Sequence, residues 1–532
     1  MSSVLVIGAG LSGLAASEVL LDAGLSVTIV DAFPVPGGRV ASFDVQANVA
    51  GLVAGDVVEH GLHGWFQHYH ALYGLMSRAG LKKPALAGKG VHFWYPDHGH
   101  FSIPGGQLAW LFHALCLPES LRGSRAQALT AFGRLIGHLD SALANPELTD
   151  RDTAAALLAR FGVPEPAIRT IFRPCLFSLT SLPLEELSAL ELLRWLSKIL
   201  PDPRIRCLEG GATPAMCEPI AAYLTQRGAD IRLGVEVRRL ALDTDGRARL
   251  ELAQAADRTG VRHVLVPGFA PAIPPDPGVF DAVISTLPPE RLLAVSTDET
   301  RSHPLLRCIA ELRNVHPLSV RLWFERALSG TGTDYVLCSG TVFDVLRPTP
   351  EPRRYSGIHL LDVLVDNIET HLPELPYTGE RYLSPGAQET RVLERVLRDL
   401  ERLYPGEIRD NRVLRRFVHT REGIIAARPG TWSSRPPQYL ESRYFFLAGD
   451  FTRQAHGVCM EGAVRSGQLA ARSLLAGRQT DDTPGAFDQL THSVRAAWDQ
   501  WPTALLTRPL RRRAEPPRAD NPPPGSGPDG WS

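Results

Sequence analysis

Residues 3–13 read Ser-Val-Leu-Val-Ile-Gly-Ala-Gly-Leu-Ser-Gly, and no other part of the chain limits its fold as strongly. The apolar stretch up to Ile7 has the continuous Val/Leu/Ile character of a parallel strand buried on both faces. Gly8, Gly10 and Gly13 follow it at G-x-G-x-x-G spacing. Gly8 permits a tight turn, Gly10 lets a pyrophosphate approach the backbone, and Gly13 lets the next helix pack close to the strand. A helix over 11–23, with Leu11 and Ser12 in its first turn, then aims its N–H groups and dipole at phosphate oxygens. Gly24 ends that helix. A second strand, Val27-Thr-Ile-Val30, closes on Asp31, whose carboxylate is placed to accept from a ribose. A glycine-rich turn alone is weak evidence, but strand, fingerprint, helix, strand and acid in this order within about 30 residues point to a bound dinucleotide.

Composition excludes several other readings. The 532 residues are 44% hydrophobic and 21% charged, enough for a large core in several domains or in one interleaved two-domain enzyme. With 56 basic and 57 acidic side chains the net charge is −1, so no global attraction draws nucleic acid to the chain. Seven scattered cysteines without a C-x-x-C pair give neither a disulfide framework nor a structural zinc site, and point to a reducing cytoplasm. The uncharged residues 1–17 lack the basic segment of a signal peptide and read as strand and turn. No apolar run reaches the roughly 18–20 residues that span a bilayer, although contact with a membrane surface stays open. His60, His63, His68 and His70 cluster, but with no cysteine and only Glu59 as an acidic neighbour they form no expected metal site.

Three further segments carry a resemblance. Gly37-Gly38-Arg39 follows Asp31 closely, and a guanidinium after two glycines can reach a diphosphate. Glu59-His60-Gly61-Leu62-His63 precedes an amphipathic stretch to about Gly80. Phe445-Phe-Leu-Ala-Gly449-Asp450 is a buried strand closing on glycine and acid, followed by Met460-Glu461-Gly-Ala463-Val-Arg-Ser-Gly467 at a helix start. With these motifs the chain resembles FAD-dependent oxidoreductases of the amine oxidase and carotenoid desaturase superfamily, most closely the plant-type phytoene and ζ-carotene desaturases, from about residue 3 to 476. The resemblance implies bound FAD. It adds Ala32, Gly38, Arg39, the 60–63 element, Gly449, Asp450, Met460, Glu461 and Ala463 to the cofactor residues, and sets the backbone at Val237 against the adenine.

The expected fold is α/β, a Rossmann-type FAD-binding domain interleaved with an α+β substrate domain. The cofactor domain takes 1–104, 205–290 and 405–480, and the substrate domain takes 105–204 and 291–404. A helical extension follows at 481–507, then a Pro/Gly-rich tail at 508–532 that cannot build a core. Segments 47–55 and 267–277 read as insertions relative to the family. An apolar helix at 107–117, then a helix carrying Leu129, Phe132, Ile136 and Leu139 near Arg122, Arg125 and Arg134, suggest a peripheral membrane patch. They could equally line the core.

The resemblance implies a hydrophobic isoprenoid or carotenoid substrate that loses a hydride to flavin, and a quinone that takes the electrons. Arg194 falls where the plant-type enzymes place a cavity arginine, with an ordinary helix-surface arginine as the equal alternative, and His63 is the other side chain expected near the chemistry. Cofactor motifs do not separate desaturation from the reactions of carotenoid ring desaturase/methyltransferases, ketolases or hydroxysqualene dehydroxylases, whereas the 59–63 element and the late motif favour this polyene branch over the remaining alternative, amine oxidation. A lipid-binding module like the GDP-dissociation inhibitors is the non-enzymatic alternative.

Overall fold

The computed structural model describes residues 3–45, 56–59, 61–86, 90–95, 99–104, 125–199, 205–208, 211–255, 280–329, 335–349, 359–374, 387–420 and 423–481. His60, the apolar segment 107–117, both insertions, the helical extension and the tail lie outside the described residues.

The strand expected at the start of the chain, Ser3–Ile7, occupies the middle of a five-stranded parallel sheet. Its order is Asp230–Leu233, Ser26–Asp31, Ser3–Ile7, Ala282–Ser285 and Phe445–Leu447. The chain builds outward in one direction, then crosses to the other side of Ser3–Ile7, and this reversal leaves a crevice at the carboxyl ends of the strands. Both faces of the sheet are covered. Val4, Val6, Ile29 and Ile284 pack into one core with Leu14 and Leu20, while Leu5, Ile7, Val30, Val283 and Leu447 pack into another. Burial on two faces explains why these strands are apolar throughout instead of alternating.

Helices Leu11–Asp22 and Met460–Ala476 lie side by side on this sheet. A Cβ on Gly467 would stand 2.0 Å from the Ser12 carbonyl oxygen, so a side chain there would force the two helices apart. The close approach sets the beginning of the chain against residues more than 400 positions later.

A seven-stranded mixed sheet forms the second layer, in the order Val413–Thr420, Leu318–Phe324, His359–Val365, Val345–Thr349, Val336–Cys338, Gly90–Tyr95 and Gly99–Pro104. Only the Val336–Cys338 and Gly90–Tyr95 pair is parallel. The divisions expected at 104 and 405 need correction, because strands from 90–104 and 413–420 belong to this sheet and not to the dinucleotide fold. Their partners lie far away in sequence, which local patterning does not reveal. Helix Ala387–Leu403 covers the sheet through Val392, Val396 and Leu400, all fully buried.

Helix Arg125–Ala144 turns Phe132, Leu135 and Leu139 into the main core. Phe132, Ile136 and Leu139, named above for a membrane patch or the core, thus pack against protein. Among the described residues no helix is long and apolar enough to cross a membrane.

Candidate functional site

The fingerprint folds as a cradle. Gly8 has φ +108°, and a Cβ there would lie 2.2 Å from Thr286 Oγ1. Its N–H donates to the Val30 carbonyl at 2.7 Å, tying the turn to the second strand. Gly10 caps helix Leu11–Asp22 without a side-chain hydrogen bond, which leaves the first-turn N–H groups for a ligand. The nearest heavy atoms to a Cβ on Gly10 are 3.9 Å away, so the space beside it is open. Asp31 closes the far rim, where Oδ2 accepts from Ala9 N–H at 2.6 Å and Oδ1 from Phe33 N–H at 2.8 Å. Gly37 N–H donates to the Ala9 carbonyl at 2.9 Å, which brings the Gly37-Gly38-Arg39 turn alongside.

A cavity of about 900 Å³ runs from this cradle to the seven-stranded sheet. Ligand clefts span about 300–1,000 Å³, so there is room for a dinucleotide cofactor. Gly8, Gly10, Leu11, Ser12, Asp31, Ala32, Gly38, Arg39, Leu62, His63, Val237, Gly449, Asp450, Met460 and Ala463 all line it. Gly13 does not, because it serves the packing of helix on strand: a Cβ there would lie 1.9 Å from the Gly8 carbonyl oxygen. Gly61 is buried behind Leu62 and His63 and is not among the lining residues.

Two bonds stitch the first and last motifs together. Ser12 Oγ donates to the Ala463 carbonyl at 2.8 Å. Arg39 forms an ion pair with Asp450, although the two were expected to reach a diphosphate and the cofactor's hydroxyls respectively. Asp450 is buried and Arg39 about a quarter exposed. Buried Arg435 donates to the Asp450 carbonyl at 2.7 Å and fixes this turn from behind.

Two expected residues lie elsewhere. The Glu461 carboxylate is fully buried and turned toward helix His70–Arg78, where it accepts from Ala71 N–H at 2.9 Å, Leu72 N–H at 3.0 Å and Arg465 Nε at 2.9 Å. It acts as a cap and brace, so its side chain does not reach the cavity. Glu461→Ala leaves two helix N–H donors without their acceptor and breaks the ion pair to Arg465, and will cost about 2–3 kcal/mol of stability, measured by thermal unfolding. Its FAD affinity will fall far less than that of an Arg39 or Asp450 variant. Arg194 is neither a surface group nor a cavity residue. It is 2% exposed, pairs with Glu191 at 3.6 Å and stacks on Trp432 at 4.3 Å, and burial pushes its pKa down to about 10.

Glu59 accepts from Ala212 N–H at 3.0 Å, with burial raising its pKa. It fastens the loop that leads into the 61–66 element. His63 is buried at the cavity wall, edge-on to Trp65. Sequence reading missed Thr286 and Leu287, which follow the Ala282–Ser285 strand at the reversal point, and Phe66, Tyr69, Trp195 and Cys459, which wall the end away from Asp31. The Pro288-Pro289 stop directly after Leu287 was an available signal. Trp195, inside an apolar helix, offered none. Among the described residues no group of three or more His, Cys, Asp or Glu could hold a metal ion.

Residues 11–475 match the family described as flavin containing amine oxidoreductase. The 15-cis-phytoene desaturase of Synechococcus elongatus is 24% identical, across 89% of this chain and 96% of its own length. The chloroplastic/chromoplastic 15-cis-phytoene desaturase of Narcissus pseudonarcissus is 26% identical, across 89% and 79%. Solved structures share the fold. An oxidoreductase from Methanosarcina mazei superposes with a TM-score of 0.60 at 16% identity, covering 89% of this chain and all of its own. Cyclohexylamine oxidase from Brevibacterium oxydans gives 0.58 at 17%, covering 90% and 99%.

Proposed function

Since the chain belongs to the flavin containing amine oxidoreductase family and is an FAD-dependent oxidoreductase, we propose that it desaturates an isoprenoid polyene of the carotenoid class and passes the electrons to a quinone. The observation that carries this reading is the continuity of the cavity. It runs from the fingerprint to the seven-stranded sheet, where Pro317, Leu364, Ile424 and Ile425 give it apolar walls. The relatives named as 15-cis-phytoene desaturases span nearly the whole chain and support the same substrate class.

The uncapped helix at Gly10 and the guanidinium of Arg39 would hold the diphosphate of FAD, Asp31 its adenosine ribose and Asp450 the hydroxyls beyond. Bound FAD supplies a two-electron acceptor. The protein's own part is to seat a C–C bond flanked by double bonds against that acceptor and to keep water out. Loss of a hydride from an allylic carbon leaves a cation whose neighbouring proton is already acidic, so a weak base suffices. An apolar wall thus serves this reaction better than a strong acid–base pair.

The test is to incubate FAD-loaded protein in liposomes with a quinone and 15-cis-phytoene or ζ-carotene. Longer-wavelength polyene absorbance and a reduced quinone, with one of the two carotenes, are expected. Parallel reactions carry hydroxysqualene with dithionite-reduced protein, since replacing its hydroxyl by hydrogen consumes two electrons, and a primary amine with oxygen. Turnover in only one of these would replace desaturation by dehydroxylation or by amine oxidation.

A further inference from the structure

Behind the cavity wall formed by Trp195 and Cys459 lies a second layer of polar groups. Helix Ala189–Ile199 is buried along its whole length, including Glu191, Arg194, Ser197 and Lys198. The Lys198 side chain is 1% exposed, and its ammonium donates to the backbone carbonyl of His456. Cys459 Sγ donates to that same carbonyl, at 3.4 Å. Cys459 lines the cavity and is also the N-cap of helix Met460–Ala476, its sulfur accepting from Gly462 N–H at 3.4 Å. Lys198 Nζ lies 4.6 Å from the centroid of the Trp195 ring, a second wall residue. Lys198 therefore touches, from behind, the His456 carbonyl of the turn that carries Cys459 and the ring of Trp195, and both Cys459 and Trp195 line the cavity.

This ammonium is poorly compensated. Among the described residues no carboxylate forms an ion pair with it, since Glu191 pairs with Arg194 and Glu461 with Arg465. Among the described residues neither ring nitrogen of buried His456 has a hydrogen-bond partner. Burial lowers the pKa of Lys198, and it holds His68 and His456 well below the ordinary imidazole range, which leaves both rings neutral. A buried cation facing neutral imidazoles and a helix N-terminus makes this end of the cavity electropositive. A group that gains negative charge there is stabilised by the ammonium and by the helix N-terminus. The coupling is reciprocal: an anion in the cavity favours the ammonium as much as the ammonium favours the anion.

We propose that Lys198 is a positioning residue that holds the Cys459–Met460 turn against the flavin and, through its positive charge one layer behind the wall, raises the flavin's reduction potential. The proposal rests on the FAD reading of the cavity. Its test is the midpoint potential of FAD-loaded protein, read by equilibration with a reference dye. Dithionite supplies two electrons to each couple, and dye and flavin exchange them until the ratio of reduced to oxidised forms is constant. Lys198→Gln keeps a donor for the His456 carbonyl without the charge, Lys198→Met removes both, and Lys198→Arg keeps the cation.

With Lys198→Gln or Lys198→Met the equilibrium will shift about tenfold toward oxidised flavin, about 30 mV for a two-electron couple. Lys198→Arg will stay within about twofold of the unsubstituted protein. Either neutral variant suffices if the other does not fold. A neutral variant that binds FAD at the unsubstituted protein's potential would overturn the proposal and leave the flavin reading intact. Unsubstituted protein that takes up no FAD would overturn both.

Discussion

Gly13→Val will yield little folded protein, and the fraction that folds will bind no FAD. A Cβ at this position would sit 1.9 Å from the Gly8 carbonyl oxygen and 3.2 Å from Val6 Cγ1. The first neighbour is backbone, and it cannot retreat cheaply. Gly8 is tied to Val30 on one side, and Thr286 Oγ1 occupies the space a shift would need. Overpacking commonly costs about 1–3 kcal/mol. A backbone clash inside a cradle joining two strands belongs to the exceptional class above about 4 kcal/mol. The helix must tilt away from the sheet, which also removes its N-terminus from the phosphate position. Gly13→Ala will move the same way with a smaller loss, because it adds the same Cβ. A Cβ on Gly137, in mid-helix, meets nothing within 4 Å, so Gly137→Ala will be neutral or slightly stabilising, as helix propensity dictates. Thermal unfolding with and without added FAD checks all three. Gly13→Val protein with ordinary stability and cofactor content would contradict the account of the cradle.

Asp450→Ala will lower FAD affinity about 100-fold or more while leaving a folded apoprotein. Asp450 is buried and Arg39 partly exposed, so losing the carboxylate breaks their ion pair and removes an acceptor from the cavity wall. Breaking a fully buried pair costs about 3–5 kcal/mol. Solvent at Arg39 reduces that to about 2–3 kcal/mol, near the 2.7 kcal/mol that a hundredfold affinity change represents. Arg39→Lys keeps the charge but not the planar fork, and will recover only part of the loss. Equilibrium titration of apoprotein with FAD distinguishes the cases. Asp450→Ala binding FAD as tightly as the unsubstituted chain would show that the pair is structural and does not serve the cofactor.

Much of the dinucleotide fold was legible because its signals are local. The strand Ser3–Ile7, the glycine spacing, the acid at 31 and the late Gly449-Asp450 turn each carry their meaning within a few residues. The partition of the two sheets was not. Gly90–Tyr95 and Val413–Thr420 look like any other strand, and only pairing with Val336–Cys338 and Leu318–Phe324 assigns them to the second layer. The site shows the same division. Arg39 and Asp450 were readable as candidates for the cofactor site, but their ion pair spans 411 positions and no pattern announces it. Glu461 sits inside a cofactor motif, yet its carboxylate caps a helix 390 residues earlier. Lys198 was invisible because a lysine on an apolar helix normally extends its ammonium to water, and here the loop at 456–459 covers it.

The central claim is that the beginning and the end of the chain build one FAD site. The most direct measurement is the visible absorbance of purified protein, followed by titration of the stripped apoprotein with FAD. The account predicts a flavin band at one FAD per chain, restored on titration, absent from Gly13→Val protein and needing about 100-fold more FAD in Asp450→Ala protein. A folded, colourless chain that resists added FAD would contradict it and leave a lipid-binding scaffold built on the same fold.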